Sequence, residues 1–532
     1  MPQIGYAHRP VALGREGMVA SAHPLATLAG VLVLKSGGTA ADAAIAVNAL
    51  LSVTQPYCCG PGGDFFCLYY EAASGRVHFL NGAGRSGGRA SLDELRRRNL
   101  SRVPVRGPGS VSVPGCARAW EMLRERFGTR PLADLLAPAI HYAEVGFPTT
   151  ALVSQATAER MAVIEDPEWR RIFVPGGRVP VVGELLVQAD LARTLRALGQ
   201  DGPDLFYRGR VAQAIAKRLE REGFLTGEDL ASHEGEWGEP LAVGYRGHVV
   251  YETPPPTQGL AALLALNLLG GFELGKKPYH SAEHLHLLVE MVKLAYADRD
   301  RWVADPTRSA VPVAGLLSKE YADERRKAFD PRKAQPFQWG SPGGDTTGFV
   351  IADRQGNLVS VIQSLFGSFG SGVVPEGTGV ILHNRGSYFS TDPSHPNCFE
   401  PRKRPFHTLI ASIVTGDGRP VMGFATRGAD GQALFHIQVL TDVLDFGMEI
   451  QEAIERPRFL MGGFTPDEPR DLLQVEGRVG VRALRGLARR GHRVEVVSDF
   501  YDHMGTAHGI VIRGGTLMGG ADPRGDGMAL GY

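Results

Sequence analysis

Two adjacent threonines, Thr346 and Thr347, follow the run Ser341-Pro342-Gly343-Gly344-Asp345 and open the strand-like stretch Gly348-Phe349-Val350-Ile351-Ala352. A backbone cut between Asp345 and Thr346 would make Thr346 an N-terminus that carries a hydroxyl nucleophile and a free α-amine on one residue. That amine titrates at about 7.7 to 8.0, so near neutral pH a useful fraction is unprotonated and can take the hydroxyl proton. Such a residue performs acyl transfer without a distant histidine. The segment from about 331 to 345, rich in Pro, Gly and polar residues, reads as an exposed linker that would accommodate the cut.

Rival chemistries fit less well. Gly82-Ala83-Gly84-Arg85-Ser86-Gly87 follows the strand-like Arg76 to Leu80, but a dinucleotide site needs an acid about 20 residues on. The chain has Arg102-Val103-Pro104-Val105-Arg106 there. Gly84-Arg85-Ser86-Gly87-Gly88 matches a serine-hydrolase elbow, yet the next helix is expected only from Ser91, so the strained strand-to-helix turn is missing. His280, His284 and His286 lie near Glu283 and Glu290 without an H-E-x-x-H pattern, and are read as surface histidines rather than metal ligands. No cofactor is expected.

The elements that must carry Thr346 are legible in outline. Ala40 to Leu51 has the small and aliphatic residues of a buried helix, and Gly60-Pro61-Gly62-Gly63 breaks the chain before the strand-like Phe65 to Tyr70. Residues 110 to 235 read as mostly helical. Ser281 is placed to cap a long helix ending near Ala304, with Leu285, Leu288, Val289, Val292 and Ala295 on its packing face. Phe349 to Ala352 and Leu358 to Ile362 flank Asp353-Arg354-Gln355-Gly356-Asn357 as a hairpin would.

Bulk composition excludes several partners. Across 532 residues, 57 Lys plus Arg balance 57 Asp plus Glu, which leaves no excess field for nucleic acid or an anionic membrane. The clusters Arg96-Arg97-Arg98 and Arg402-Lys403-Arg404 are read as solvated faces or turns. Met1 to Arg15 lacks an apolar signal core and no long apolar run follows, so a cytoplasmic protein is expected. Five cysteines without paired spacing suggest buried thiols.

The order of motifs resembles the gamma-glutamyltransferase (glutathione hydrolase) family of N-terminal nucleophile hydrolases. It runs from Met18-Val19-Ala20-Ser21-Ala22-His23-Pro24 and Gly37-Gly38-Thr39-Ala40-Ala41-Asp42 to Pro254-Pro255-Pro256-Thr257 and Ala295-Tyr296-Ala297-Asp298-Arg299. It continues through Gly367-Ser368-Phe369-Gly370-Ser371-Gly372, Thr426-Arg427-Gly428-Ala429-Asp430-Gly431 and Ala521-Asp522-Pro523-Arg524. The resemblance implies an α+β fold, a four-layer αββα sandwich with two stacked antiparallel sheets flanked by helices. It also implies a proenzyme that cuts itself between Asp345 and Thr346. Residues 1–345 would form the large subunit and 346–532 the small one, both within one fold. The partners implied are a small-molecule amide and the two subunits themselves, with room for a dimer of processed heterodimers.

The resemblance assigns roles residue by residue. Thr346 is the nucleophile, Ser364 stands where a family threonine positions it, and Gly428-Ala429 stands at the Gly-Gly pair whose amides hold the oxyanion. The family arginine for the substrate α-carboxylate aligns with Ala83, leaving Arg85 two residues later. Phe366, Arg385 and Tyr388 replace the Asn, Gln and Asp around the glutamyl head, and His407-Thr408 replaces a Ser-Ser pair. Loss of that acid and gain of Arg385 imply an acyl group with a carboxylate and no amine. Phe389 to Arg404 is shorter than the family's usual form, which implies a missing lid and an open site favouring hydrolysis. The expected activity is cleavage of gamma-glutamyl amides, with oxamate or a cephalosporin side chain as the alternative suggested by Asn384-Arg385-Gly386-Ser387-Tyr388-Phe389. A non-catalytic scaffold is the alternative from another class, and Thr346, Ser364 and Gly428 argue against it.

Overall fold

The computed structural model describes residues 8–336, 345–462 and 471–532. The expected linker falls mainly on 337–344, outside the described residues. The site depends on strands β1 (Asp64–Glu71), β2 (Asp345–Ala352), β3 (Leu358–Phe366), β4 (Ala411–Gly416) and β5 (Arg419–Thr426). Helices α1 (Ala40–Thr54), α2 (Ala282–Trp302), α3 (Gln432–Leu444) and α4 (Val481–Arg489) pack around them.

One seven-stranded sheet runs in the order Met528–Gly531, Met18–Ser21, β2, β3, β1, Arg76–Asn81, Glu236–Gly238. The other runs Ala12–Gly14, Thr516–Ala521, Ala507–Arg513, β5, β4, His248–Glu252, Leu241–Tyr245. Neighbours in both sheets are antiparallel, and the expected hairpin is β2 paired with β3. Each sheet takes strands from both sides of Thr346, so the two segments form one fold.

Strand periodicity builds the layers. Along β2, Phe349 and Ile351 pack with the helices outside the first sheet, while Val350 and Ala352 face the second sheet. The buried layer between the sheets joins Phe66, Leu68, Val350 and Ile362 to Ala411, Ile413, Ala425 and Ile510. Burying each large aliphatic or aromatic side chain there contributes about 1.5–3 kcal/mol. The outer face of the second sheet packs Val414, Met422 and Phe424 against α2 and α3. The result is the expected αββα sandwich.

α1 begins with a capping box in which Thr39 and Asp42 satisfy each other's backbone amides. Every residue from Ala40 to Thr54 is buried, because its alanines let the helix lie close beneath the first sheet. α2 is capped by Ser281 as expected and stops at Trp302, just short of Asp305-Pro306, where the residue before proline disfavours helix. Among the described residues no helix is long and apolar enough to cross a membrane.

Candidate active site

Alternation along the strands brings Thr346, the candidate nucleophile, and its neighbours to the inner face of the first sheet. Ser364 of β3 lies opposite Asp64 of β1, and both follow the parity of Ile362 and Phe66, which face the second sheet. A register shift between Asp345 and Thr347 marks the start of β2. The Thr346 hydroxyl donates to Ser364 Oγ at 3.2 Å and receives the Gln432 amide at 3.5 Å. Thr347 points the other way and donates to Gln55 Oε1 at 3.1 Å. Ser364 Oγ also accepts the Phe366 amide at 2.7 Å, which fixes the hydroxyl that receives Thr346.

The turn after β5 supplies the second element. Gly428 (φ 136°) and Ala429 (φ 50°) both have positive φ, a conformation that costs a non-glycine residue about 1 kcal/mol or more. Side chains hold this turn in place. Gln258 donates to the Ala429 carbonyl at 2.9 Å, and Arg299 pairs with Asp430 at 3.0 Å. The Tyr388 hydroxyl donates to both Asp430 oxygens at 2.8 and 2.7 Å. Burial raises the Asp430 carboxyl, with Arg299 and Tyr388 opposing, and burial raises the Tyr388 phenol so that it remains a donor. The Gly428 and Ala429 amides stand at the head of this turn, backbone donors of the kind that can receive an oxyanion. Phe366 also has positive φ (73°), so backbone strain gathers on both sides of Thr346.

A buried polar cluster adjoins Ser364. Arg385 pairs through Nε with Asp64 Oδ2 at 3.2 Å and donates through Nη1 to Thr408 Oγ1 at 3.2 Å, while its guanidinium covers the Phe366 ring at 4.3 Å. His383 Nδ1 is 3.1 Å and His407 Nδ1 3.7 Å from Asp64 Oδ2. Burial opposes ionisation of Asp64, but His383, His407 and Arg385 outweigh it and hold its carboxyl well below the usual range. Burial drives the His407 imidazole well below its ordinary pKa, with Asp64 opposing. Among the described residues Asp64 Oδ1, Arg385 Nη2 and both His407 nitrogens are buried without a hydrogen-bond partner. A buried orphan of this kind costs about 1–3 kcal/mol, and more when charged, which marks the cluster as a place for a ligand.

The structure therefore gathers Thr346, Ser364, Gly428, Ala429, Arg385, Tyr388, His407 and Thr408, with Tyr388 engaged on the turn. Arg85 is drawn elsewhere, into ion pairs with Asp305 at 2.9 Å and Glu236 at 3.6 Å, because Arg404 and Asp305 fold against its loop. Asp64, which pairs with Arg385 and His383 in this cluster, was missed as a site residue; its signal was a lone carboxylate opening an apolar inner strand face. Gln432, Gln258 and Arg299 were also missed as site residues. Thr346 is 1% exposed in the uncut chain, and Phe389 and Phe399 of the shortened segment pack with Ala90, Leu95 and Phe224. Lys403 and Arg404 are buried, not solvated, since Arg404 pairs with Glu236 and donates to the Ala83 carbonyl. His284 and His286 are buried as well, which corrects their reading as surface residues.

Comparison with known proteins agrees with this geometry. The family description Gamma-glutamyltranspeptidase matches residues 26–532. The glutathione hydrolase-like YwrD proenzyme of Bacillus subtilis is 40% identical, over 98% of this chain and 99% of that protein. The oxamate amidohydrolase proenzyme of Klebsiella pneumoniae is 36% identical, over 97% and 98%. The crystal structure of cephalosporin acylase from Bacillus halodurans superposes with a TM-score of 0.92 at 38% identity, covering 100% of this chain and 99% of that one.

Proposed function

The chain belongs to the gamma-glutamyltranspeptidase family, and from that premise we propose a self-processing threonine amidohydrolase that cleaves gamma-glutamyl amides of the glutathione type. Thr346 Oγ attacks the Asp345 carbonyl, the C–N bond breaks to leave an ester and a free Thr346 amine, and water opens the ester. The mature Thr346 then attacks the substrate amide, its own amine carrying the hydroxyl proton to the leaving nitrogen. The Gly428 and Ala429 amides receive the developing oxyanion, each such donor being worth about 2.7–4 kcal/mol. Water resolves the acyl-enzyme in preference to an acceptor amine, in keeping with relatives named as hydrolases and amidohydrolases. A cytoplasmic setting belongs to the same reading, with all five cysteines buried.

The observation that carries the reading is a pair of unpartnered atoms beside Ser364, Asp64 Oδ1 and Arg385 Nη2, on two groups that pair with each other through their other atoms. A bare carboxylate would satisfy Arg385 Nη2 but leave Asp64 Oδ1 facing an anion, whereas an α-amino acid head satisfies both. Directly opposed residues of antiparallel strands have Cβ atoms about 4.5–5.5 Å apart, so Asp64 stands one short acyl chain beyond the Ser364 that holds Thr346.

The test compares gamma-glutamyl anilide, glutaryl anilide, which lacks the α-amine, and oxamate on purified protein. Two fragments on a gel, absent in Thr346→Ala, with the highest kcat/KM on the gamma-glutamyl compound, support the proposal. Uncut protein that turns over amides at full rate defeats it, as does a preference for glutaryl anilide. The oxamate amidohydrolase and cephalosporin acylase relatives favour a second reading, with Arg385 holding the carboxylate of another acyl group and Asp64 acting only as its counter-ion. That reading predicts oxamate or glutaryl anilide first.

A further inference from the structure

Far from Thr346 in sequence, α2 carries His286 and Glu290 one turn apart, and the loop after α4 brings His492 against them. His286 Nδ1 lies 2.7 Å from His492 Nε2, and Glu290 Oε1 lies 4.0 Å from the same nitrogen. The three side chains are 1%, 2% and 7% exposed. The other nitrogen of His286 faces the Asp330 carbonyl at 2.8 Å, so it carries the proton and turns the Nδ1 lone pair inward. Two imidazoles and a carboxylate whose ligand atoms all lie within 4.8 Å of one another form a metal-binding set.

We propose that His286, Glu290 and His492 bind a divalent transition-metal ion of the zinc class, one that bridges the segments before and after Thr346. Zn–N bonds of about 2.0–2.1 Å in a tetrahedron place ligand atoms about 3.3 Å apart, a spacing that the observed 2.7 and 4.0 Å bracket, with all three ligand atoms within 4.8 Å of one another. One competitor is present: Lys293 Nζ lies 2.7 Å from Glu290 Oε1 and 3.1 Å from the Gln335 carbonyl, and it must release the first of these while keeping the second.

The location gives the ion a purpose. His286 and Glu290 precede Thr346 and His492 follows it, so the ion would hold two pieces of a cut chain together. The same cluster grips the last described stretch before the junction, through the Asp330 carbonyl, the Gln335 amide on Glu290 Oε2 at 3.1 Å, and the Ala334 amide on the Arg490 carbonyl at 2.7 Å.

The proposal is tested on the full chain, cleared of metal and titrated with zinc alone against a chromogenic chelator, and with cobalt for the visible bands of tetrahedral coordination. One ion per chain is expected. The His286→Asn/His492→Asn double variant should weaken binding by at least about 100-fold, and Glu290→Gln should weaken it too. Lys293→Met, which keeps all three ligands and removes the competing cation, should tighten it by about tenfold. Absence of stoichiometric binding in both wild type and Lys293→Met overturns the proposal, as does equal affinity in the double variant.

Discussion

Replacing Asp64 by asparagine isolates the charge that sets acyl recognition. Asparagine keeps the size and an acceptor but removes the ionised oxygen that faces the substrate head, while Arg385 Nε at 3.2 Å and His383 Nδ1 at 3.1 Å lose their anion. A hydrogen bond to a charged group contributes about 1.5–3 kcal/mol. At about 1.4 kcal/mol per decade, kcat/KM on gamma-glutamyl anilide should fall about 10- to 150-fold. Glutaryl anilide makes no such bond, so its kcat/KM should fall far less and the ratio of the two should collapse. Stripping Arg385 of its buried partner also destabilises the fold by about 3–5 kcal/mol, so rates are taken on cleaved protein below its melting range. The carboxyl is held below its unfolded pKa, so its contribution is complete above about pH 4 and is lost as pH falls through the folded pKa. The stability gap between wild type and variant should therefore be flat at neutral pH and narrow only in acid. An unchanged gamma-glutamyl to glutaryl ratio in a folded, cleaved variant would refute the assignment of Asp64 to the substrate amine.

Tyr388→Phe removes the hydroxyl that holds Asp430 and with it the Gly428–Gly431 turn. With about 1.5–3 kcal/mol at stake, kcat should drop about 10- to 100-fold at nearly constant KM, whereas a rise in KM alone would mean that Tyr388 touches substrate. Asp442, buried and bonded by the Tyr279 hydroxyl at 2.9 Å, is pushed up to about 8 by burial. An acid whose folded pKa is raised loses stability as pH climbs from its unfolded value toward the folded one, by up to about 1.4 kcal/mol per unit. Denaturant midpoints of Asp442→Asn should therefore exceed wild type by more at pH 8 than at pH 5, and the reverse order would contradict this account.

Features decided by near neighbours were legible from the chain itself. The Thr346 nucleophile, the Ser281 cap, the buried alanine-rich helix and the β2–β3 hairpin each follow from residues a few positions apart, because capping and strand alternation act over one or two turns of backbone. Ser364 and the Gly428-Ala429 turn were found through family resemblance; the fold sets Ser364 on the Thr346 hydroxyl, and the turn leads into α3, whose Gln432 donates to the same hydroxyl. Charge partners were not legible. Asp64 and Arg385 are 321 residues apart, and His286 and His492 are 206 apart. Nothing local distinguishes a carboxylate that will neutralise an arginine from one that will face water. Strand register and helix packing decide this, by burying specific side chains together where an unpaired charge is too costly to leave alone. The sequence by itself thus singled out Thr346 as the candidate nucleophile. The tertiary structure decided what surrounds it, pairing Arg85 with Asp305, bringing Asp64 to Arg385 and burying Thr346 in the uncut chain.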